Sequence, residues 1–363
     1  MRGDPIVSPG TVSNSEDCHF VFTVHRLLLQ NKIKNVSEFH KVVRVLVIGA
    51  NEGVVNLDGK QILITGGCGF IGSHLAEQLS SNNSVTIVDR STDRMDVEEG
   101  KGMKLIEGDL SDPSVVEMAI TSEIDIVFHL AADKAVNSGD ITAQFDFNNK
   151  MTSNILARMK EVGVSNIAFA SSSTVYGEAD FPTPENYTPL EPISVYGASK
   201  LASEALLSAY AHGFDYTTWI FRFANVVGPR LQRGAVIPDF IEKLKNDSSV
   251  LHVLGNGHQE KSYIYIEDCI EAMCWIVEAT SDPINTYNIG TTTTISVREI
   301  AEIVSKEMGL SPKITYTSSD RGWVGDVPRM SLSVEKLMSI GWGPELESED
   351  AVRKAVGEMV SIE

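Results

Sequence analysis

Residues 61–79 read QILITGGCGFIGSHLAEQL. An apolar run, Ile62, Leu63 and Ile64, enters a cluster of glycines, and an amphipathic segment leaves it. Gly67, Gly69 and Gly72 fit G-x-G-x-x-G; Gly66, Gly69 and Gly72 fit the related G-x-x-G-x-x-G. Glycine is needed where a strand turns tightly into a helix whose free N–H groups face a pyrophosphate, because a Cβ would block the approach. Alone, a glycine pattern marks only a turn. Here it stands between a strand and a helix, and Asp89 ends the next apolar run, 85–88. That context points to a dinucleotide site.

Outward from this stretch, apolar runs of four to six residues alternate with helical ones. Strands are expected at 62–65, 85–89, 103–107, 125–130, 166–170 and 217–222. Helices are expected at 69–80, 113–120, 142–162 and 196–213, with Asp112 as N-cap of the second and Pro113 at its first position. Regular β-α alternation predicts an α/β fold, a doubly wound parallel sheet of the Rossmann type covered on both faces. After about Gly228 the pattern loosens into helices at 236–246, 266–280 and 296–308 between short strands. Residues 59–228 thus read as a dinucleotide-binding domain. Residues 229–363 read mainly as a smaller substrate-binding lobe, with some of the chain between Asn225 and Ile289 returning to the sheet. Residues 1–58 fit neither and are expected to be a poorly ordered or accessory extension. Within them, 42–49 (VVRVLVIG) looks like a strand but lacks a glycine fingerprint after it.

The 363-residue chain is long enough for a sizeable core. Its 49 acidic against 30 basic side chains, a formal charge of −19, argue against a general nucleic-acid binder. No run approaches 18 apolar residues, so no membrane span is expected. The apolar piece 20–29 is broken by His25 and Arg26 and does not read as a leader. Cys18, Cys68, Cys269 and Cys274 form no C-x-x-C pair and no zinc spacing. They read as free thiols in a reducing, cytoplasmic compartment, and no metal is expected.

Two further stretches carry chemistry. Tyr196-Gly197-Ala198-Ser199-Lys200 places a tyrosine and a lysine on one helix face. A tyrosine is a poor base near neutrality; a nearby ammonium favours its phenolate. The pair is suited to take a proton from a sugar hydroxyl. Ser171-Ser172-Ser173-Thr174-Val175-Tyr176-Gly177 follows the strand at 166–170, at the carboxyl edge where open α/β sheets bind ligands.

Together, the glycine turn, the serine-rich strand end and Tyr-x-x-x-Lys resemble the extended short-chain dehydrogenase/reductase family. Within it they resemble the nucleotide-sugar epimerases of the UDP-glucose (UDP-galactose) type, from about Lys60 to about Val360. The resemblance implies NAD as cofactor. Gly66, Gly69, Phe70, Ile71 and Gly72 would form the phosphate turn, and Asp89 would accept from the adenosine ribose. That carboxylate favours NAD over NADP, although Arg90 beside it could receive a 2′-phosphate. Asp109 and Leu110 would border the adenine. Leu130, Ala131 and Ala132, after His129, would lie along the cofactor with Lys134, Tyr196, Lys200 and Phe223.

The same resemblance makes Ser172, Tyr196 and Lys200 the catalytic residues. It gives Ser172, Asn225, Val236, Lys261 and Arg321 to the substrate, with Asn225, Lys261 and Arg321 on its diphosphate. Lys261-Ser262 stands where relatives often carry an arginine, so a point charge replaces a fork there. Ser173 and Thr174 stand where sugar 4,6-dehydratases carry an acidic pair. The implied reaction is epimerisation at C4 of a UDP-hexose: Tyr196 takes the 4-hydroxyl proton with Ser172 bridging, C4 lends a hydride to NAD, and the 4-keto sugar turns over before the hydride returns. A uronate or N-acetylhexosamine 4-epimerase, a decarboxylase, a reductase, a dehydrogenase releasing NADH and a non-catalytic NAD-binding protein are the alternatives. A homodimer is expected from the same resemblance.

Overall fold

The computed structural model describes residues 55–93, 102–134, 141–322 and 325–361. The strand-like segment at 42–49, Cys18 and the rest of 1–54 lie outside the described residues. Seven parallel strands form the main sheet: β1 (Gln61–Thr65), β2 (Ser84–Asp89), β3 (Met103–Glu107), β4 (Ile126–His129), β5 (Asn166–Ser172), β6 (Thr217–Phe223) and β7 (Ile284–Ile289). Their order is β7-β6-β5-β4-β1-β2-β3. This is the doubly wound Rossmann arrangement, with the order reversing at β1, where Thr65 lies opposite Val88 on one side and His129 on the other.

The helices are α1 (Phe70–Ser80), α2 (Pro113–Ala119), α3 (Ile141–Val162), α4 (Val195–Phe214), α5 (Val236–Asn246), α6 (Ile266–Ala279), α7 (Val297–Glu307), α8 (Glu335–Ser339) and α9 (Ser348–Ser361). Asp112 caps α2, accepting from Ser114 N at 2.9 Å, and Pro113 opens it. On one face of the sheet, Leu63, Val127, Ile167 and Ile220 pack with Ile155 and Met159 of α3 and Leu207 of α4. Each such side chain contributes about 1.5–3 kcal/mol by leaving water. On the other face, α1 and α6 pack together. Leu57 is buried, and its N–H donates to Glu278 on α6.

Two ends differ from the sequence expectation in a way that matters. Strand β5 runs two residues further, through Ser172, because the backbone of Ser171 and Ser172 keeps its register with Arg222 and Phe223 of β6. Helix α4 starts at Val195, one residue early, because Ser194 caps it by accepting from Gly197 N at 3.1 Å. Beyond the sheet, Asn225–Val227 runs parallel to Tyr263–Tyr265, and Glu260–Lys261 pairs with Ile295–Ser296 and Arg329–Met330. No helix of the described residues is long and apolar enough to cross a membrane.

Candidate active site

The glycine turn closes β1 onto α1 at the reversal of the sheet. Gly66 has φ +69°, and a Cβ there would meet Ala131 N and Cα at 2.7 Å. A Cβ on Gly72 would strike the carbonyl oxygen of Gly66. Gly66 N donates to Val88 O and Gly69 N to Gly66 O, so the turn is folded back tightly on itself. No side chain caps α1, which leaves first-turn N–H groups and the positive end of the helix dipole for an anion. Asp89, at the end of β2, accepts from Cys68 N through Oδ2 at 3.0 Å, which holds its carboxylate beside the turn. These features fit a dinucleotide: a cradle that a Cβ would fill, uncapped amides for a pyrophosphate, and a carboxylate for ribose hydroxyls.

The other expected cofactor residues surround this cradle. Phe70 is buried at the start of α1 and Ile71 is half-buried beside it. Leu130, Ala131 and Ala132 follow β4 and are half-buried, with Ala131 N donating to Thr65 Oγ1. Asp109 turns back to accept from Ser111 N at 2.7 Å, and Leu110 is buried. Arg90 is exposed, its guanidinium 4.9 Å above the Phe147 ring. Lys134 is exposed on the loop after β4, and Phe223 is buried at the end of β6.

The three expected catalytic residues come from β5 and α4. Ser172 Oγ accepts from Thr174 N at 3.2 Å and from Thr174 Oγ1 at 3.0 Å. A hydroxyl has two lone pairs and one proton, so the proton is what Ser172 still has to offer. Tyr196 lies in the first turn of α4, where the helix dipole favours a phenolate. A Cβ on its neighbour Gly197 would meet Thr174 O at 2.7 Å, so glycine lets α4 approach the turn after Ser172. Lys200 is buried; its Nζ donates to Ala170 O at 2.6 Å and lies 5.7 Å from the Tyr196 ring centre.

The ionisation of this pair differs from the sequence expectation. Burial pushes the Tyr196 phenol up to about 12 instead of down. Burial also lowers Lys200 to about 7, although Glu204 opposes that shift. The i,i+4 spacing brings the groups together but does not show that both lose water, and that loss dominates both shifts.

The substrate candidates gather on the loops past β6. Asn225 Nδ2 is buried without a hydrogen-bond partner, as is Ser262 Oγ just before the adjoining strand. Lys261 Nζ pairs with Asp326 at 2.5 Å. Arg321 donates to the Asp326 carbonyl at 2.7 Å and pairs with Glu178, just past the Ser172 turn. Lys261 and Arg321 therefore converge on one acidic residue, which sequence reasoning missed. Val236 opens α5 and is half-buried. Pro238 of that helix shares a cleft of about 780 Å³ with Cys68, Gly69, Phe70 and Arg230.

Sequence reasoning also missed a buried polar chain behind the site. His129 Nδ1 lies 2.8 Å from Thr65 Oγ1 and its Nε2 lies 3.1 Å from Thr152 Oγ1, which in turn meets Ser203 Oγ. Asn148 accepts from Asp133 N and donates to Ser199 Oγ, joining the loop after β4 to α4. Only the polar residues on the inner faces of α3 and α4 signalled it.

Known proteins share this architecture. The chain is 33% identical over 309 residues to a putative UDP-glucose 4-epimerase of Methanocaldococcus jannaschii, covering 82% of this chain and 98% of that one. It is 30% identical to the dTDP-D-glucose 4,6-dehydratase of Mus musculus, over 82% of this chain and 88% of that one. A crystal structure of a UDP-galactose 4-epimerase superposes with a TM-score of 0.75 at 39% identity, covering 83% of this chain and 99% of that one. The model of the NAD dependent epimerase/dehydratase family matches residues 62–290. The chain belongs to the NAD dependent epimerase/dehydratase family.

Proposed function

We propose that the chain is a 4-epimerase of a UDP-hexose, of the UDP-glucose/UDP-galactose type, working through a transient 4-keto sugar. The observation that carries this reading is that Ser172, at the end of β5, and Tyr196 and Lys200, in the first turns of α4, lie at the carboxyl edge of the parallel sheet, the edge that also carries the glycine turn. Bound NAD supplies a reversible hydride acceptor and a positive charge. The turn at Gly66–Gly72 and the amides of α1 hold its pyrophosphate, and Asp89 holds its ribose; a 2′-phosphate would be repelled there.

Tyr196 takes the proton of the 4-hydroxyl, and Lys200 stabilises the phenolate this requires. Ser172 donates its one free proton to the oxygen at C4. Asn225 Nδ2, otherwise a buried donor without a partner, is satisfied by a diphosphate oxygen. Lys261 and Arg321 add charge to the same diphosphate, with Asp326 holding them until it arrives. A hexose fixed by its diphosphate and not by its ring is free to turn over about that link.

The residues after Ser172 favour epimerisation over water elimination. Ser173 and Thr174 form the 3-10 turn Ser173–Tyr176 with Val175 and Tyr176, and neither can act as an acid or a base near neutral pH. A 4,6-dehydratase needs both at that edge to remove water from the sugar. The uronate and N-acetylhexosamine 4-epimerases share these residues and form the second reading.

Incubation with UDP-glucose, UDP-N-acetylglucosamine and UDP-glucuronate, with the products read by proton NMR, tests the reading. The C4 epimer of UDP-glucose is the expected product. A 6-deoxy-4-keto sugar, or turnover of only one of the other two substrates, would displace it.

A further inference from the structure

Two buried charges stand behind the candidate catalytic residues and take no part in the proton and hydride transfers. Glu204 lies one turn of α4 beyond Lys200, and Arg222 faces it from β6; each is 6% exposed. Arg222 Nη2 donates to Glu204 Oε2 at 2.7 Å and its Nε to Oε1 at 3.1 Å, a two-pronged pair. The same carboxylate accepts from Ser171 Oγ, on the residue before Ser172. On the other side, Arg222 Nη1 donates to Tyr176 Oη at 2.9 Å and to Glu185 O at 3.0 Å. Tyr176 ends the short turn that begins after Ser172, and its hydroxyl donates to Asn288 Oδ1 of β7 at 2.7 Å. One ion pair thus grips the chain both before and after Ser172.

Lys200 belongs to the same assembly. Its ammonium donates to Ala170 O, the residue before Ser171. The charged and titratable groups around it are Tyr196 and Glu204 from its own helix, His129 from β4, and Arg222 from β6 behind Glu204. Burial holds His129 neutral, at about 3. A buried ion pair is weak evidence for stability, because desolvation offsets much of the attraction. An apolar pair of the same volume would fill the space but would hold neither Ser171 nor Tyr176.

We propose that Glu204 and Arg222 are positioning residues: their ion pair fixes the end of β5 that presents Ser172 and keeps a carboxylate one helical turn from the Lys200 ammonium. Glu204 acts against the burial that lowers Lys200, so its loss lets Lys200 shed its proton at lower pH. A neutral Lys200 no longer stabilises the Tyr196 phenolate. The activity arm of the test rests on the epimerase reading; the titration arm does not.

The test uses the full chain. Glu204→Gln alone leaves Arg222 buried without its partner, so Glu204→Gln/Arg222→Gln is made as well. Lys200 is titrated by NMR in protein labelled at lysine Cε, with its signal assigned by its loss in Lys200→Arg. Glu204→Gln is expected to lower the Lys200 midpoint by about one pH unit, and the double variant, which also loses the Arg222 charge, by a smaller step in the same direction. The alkaline limb of each variant's kcat profile should move down by the same step as its midpoint, with KM little changed. Ser171→Ala leaves the ion pair intact and is expected to lower kcat about tenfold without moving Lys200.

A folded Glu204→Gln variant with the wild-type Lys200 midpoint and kcat profile overturns the electrostatic half. Unchanged kcat in Ser171→Ala overturns the grip on Ser172, whether or not the double variant folds. A lowered midpoint with no turnover of any UDP-sugar by the wild type supports the pair and counts only against the substrate assignment.

Discussion

Replacing Gly66 by alanine tests the cofactor cradle at its tightest point. Holding a non-glycine residue at φ +69° costs about 1–2 kcal/mol. The new Cβ would lie 2.7 Å from Ala131 N and Cα and 3.0 Å from Leu130 C. These are backbone atoms of a segment tied to Thr65 through Ala131 N, so no rotamer change relieves the overlap. Overpacking of this kind costs about 1–3 kcal/mol more, and the two together reach about 2–5 kcal/mol. If the turn keeps its shape, the loss appears as a lower urea midpoint. If the turn opens instead, it appears as NAD affinity weakened by roughly thirtyfold to a few thousandfold. Calorimetric titration with NAD and urea unfolding of the same preparation capture both. Gly59→Ala is the control: φ is +71° but nothing lies within 4 Å of its Cβ. It is expected to cost about 1–2 kcal/mol and to leave NAD affinity unchanged. A Gly66→Ala protein with wild-type affinity and wild-type midpoint would refute the reasoning.

Three other substitutions address separate parts of the site. Tyr196→Phe keeps the ring and removes the base, so kcat should fall by about 10²–10⁴-fold while calorimetry finds NAD binding unchanged. Asn225→Ala removes a buried donor that has no other partner; KM for the UDP-sugar should rise roughly tenfold to a hundredfold, with NAD affinity untouched. His129 is held at about 3 by burial, against 6.5 in the unfolded chain. The unfolded state therefore binds the proton first. The stability is fully present above pH 6.5 and is lost as pH falls towards 3, by up to the order of 4 kcal/mol. Urea midpoints measured from pH 4 to 7 should fall more steeply on the acid side for the wild type than for His129→Gln; equal slopes would contradict this.

Much of the fold was legible because its signals are local. The glycine turn, the apolar strands and the Asp112-Pro113 helix start each lie within a few residues, and each fixes its own backbone. The extension of β5 through Ser172 was not legible, because a serine run reads as a loop until β6 lies alongside it. Within the site, the i,i+4 spacing of Tyr196 and Lys200 put them on one face of a helix. Their ionisation depends on the water they lose, which spacing does not record. The Glu204–Arg222 and Lys261–Asp326 pairs join different elements. No local pattern announces an acid and a base that meet only after the sheet and its loops have closed.

The central claim is that a hydride leaves C4 of the sugar and returns to the same carbon. UDP-glucose deuterated at C4, incubated with the purified protein and unlabelled NAD, tests it most directly by NMR. The account predicts UDP-galactose with deuterium kept at C4 and no net growth of NADH absorbance at 340 nm. Deuterium lost to solvent or moved to C6, or a steady rise of NADH, would contradict it.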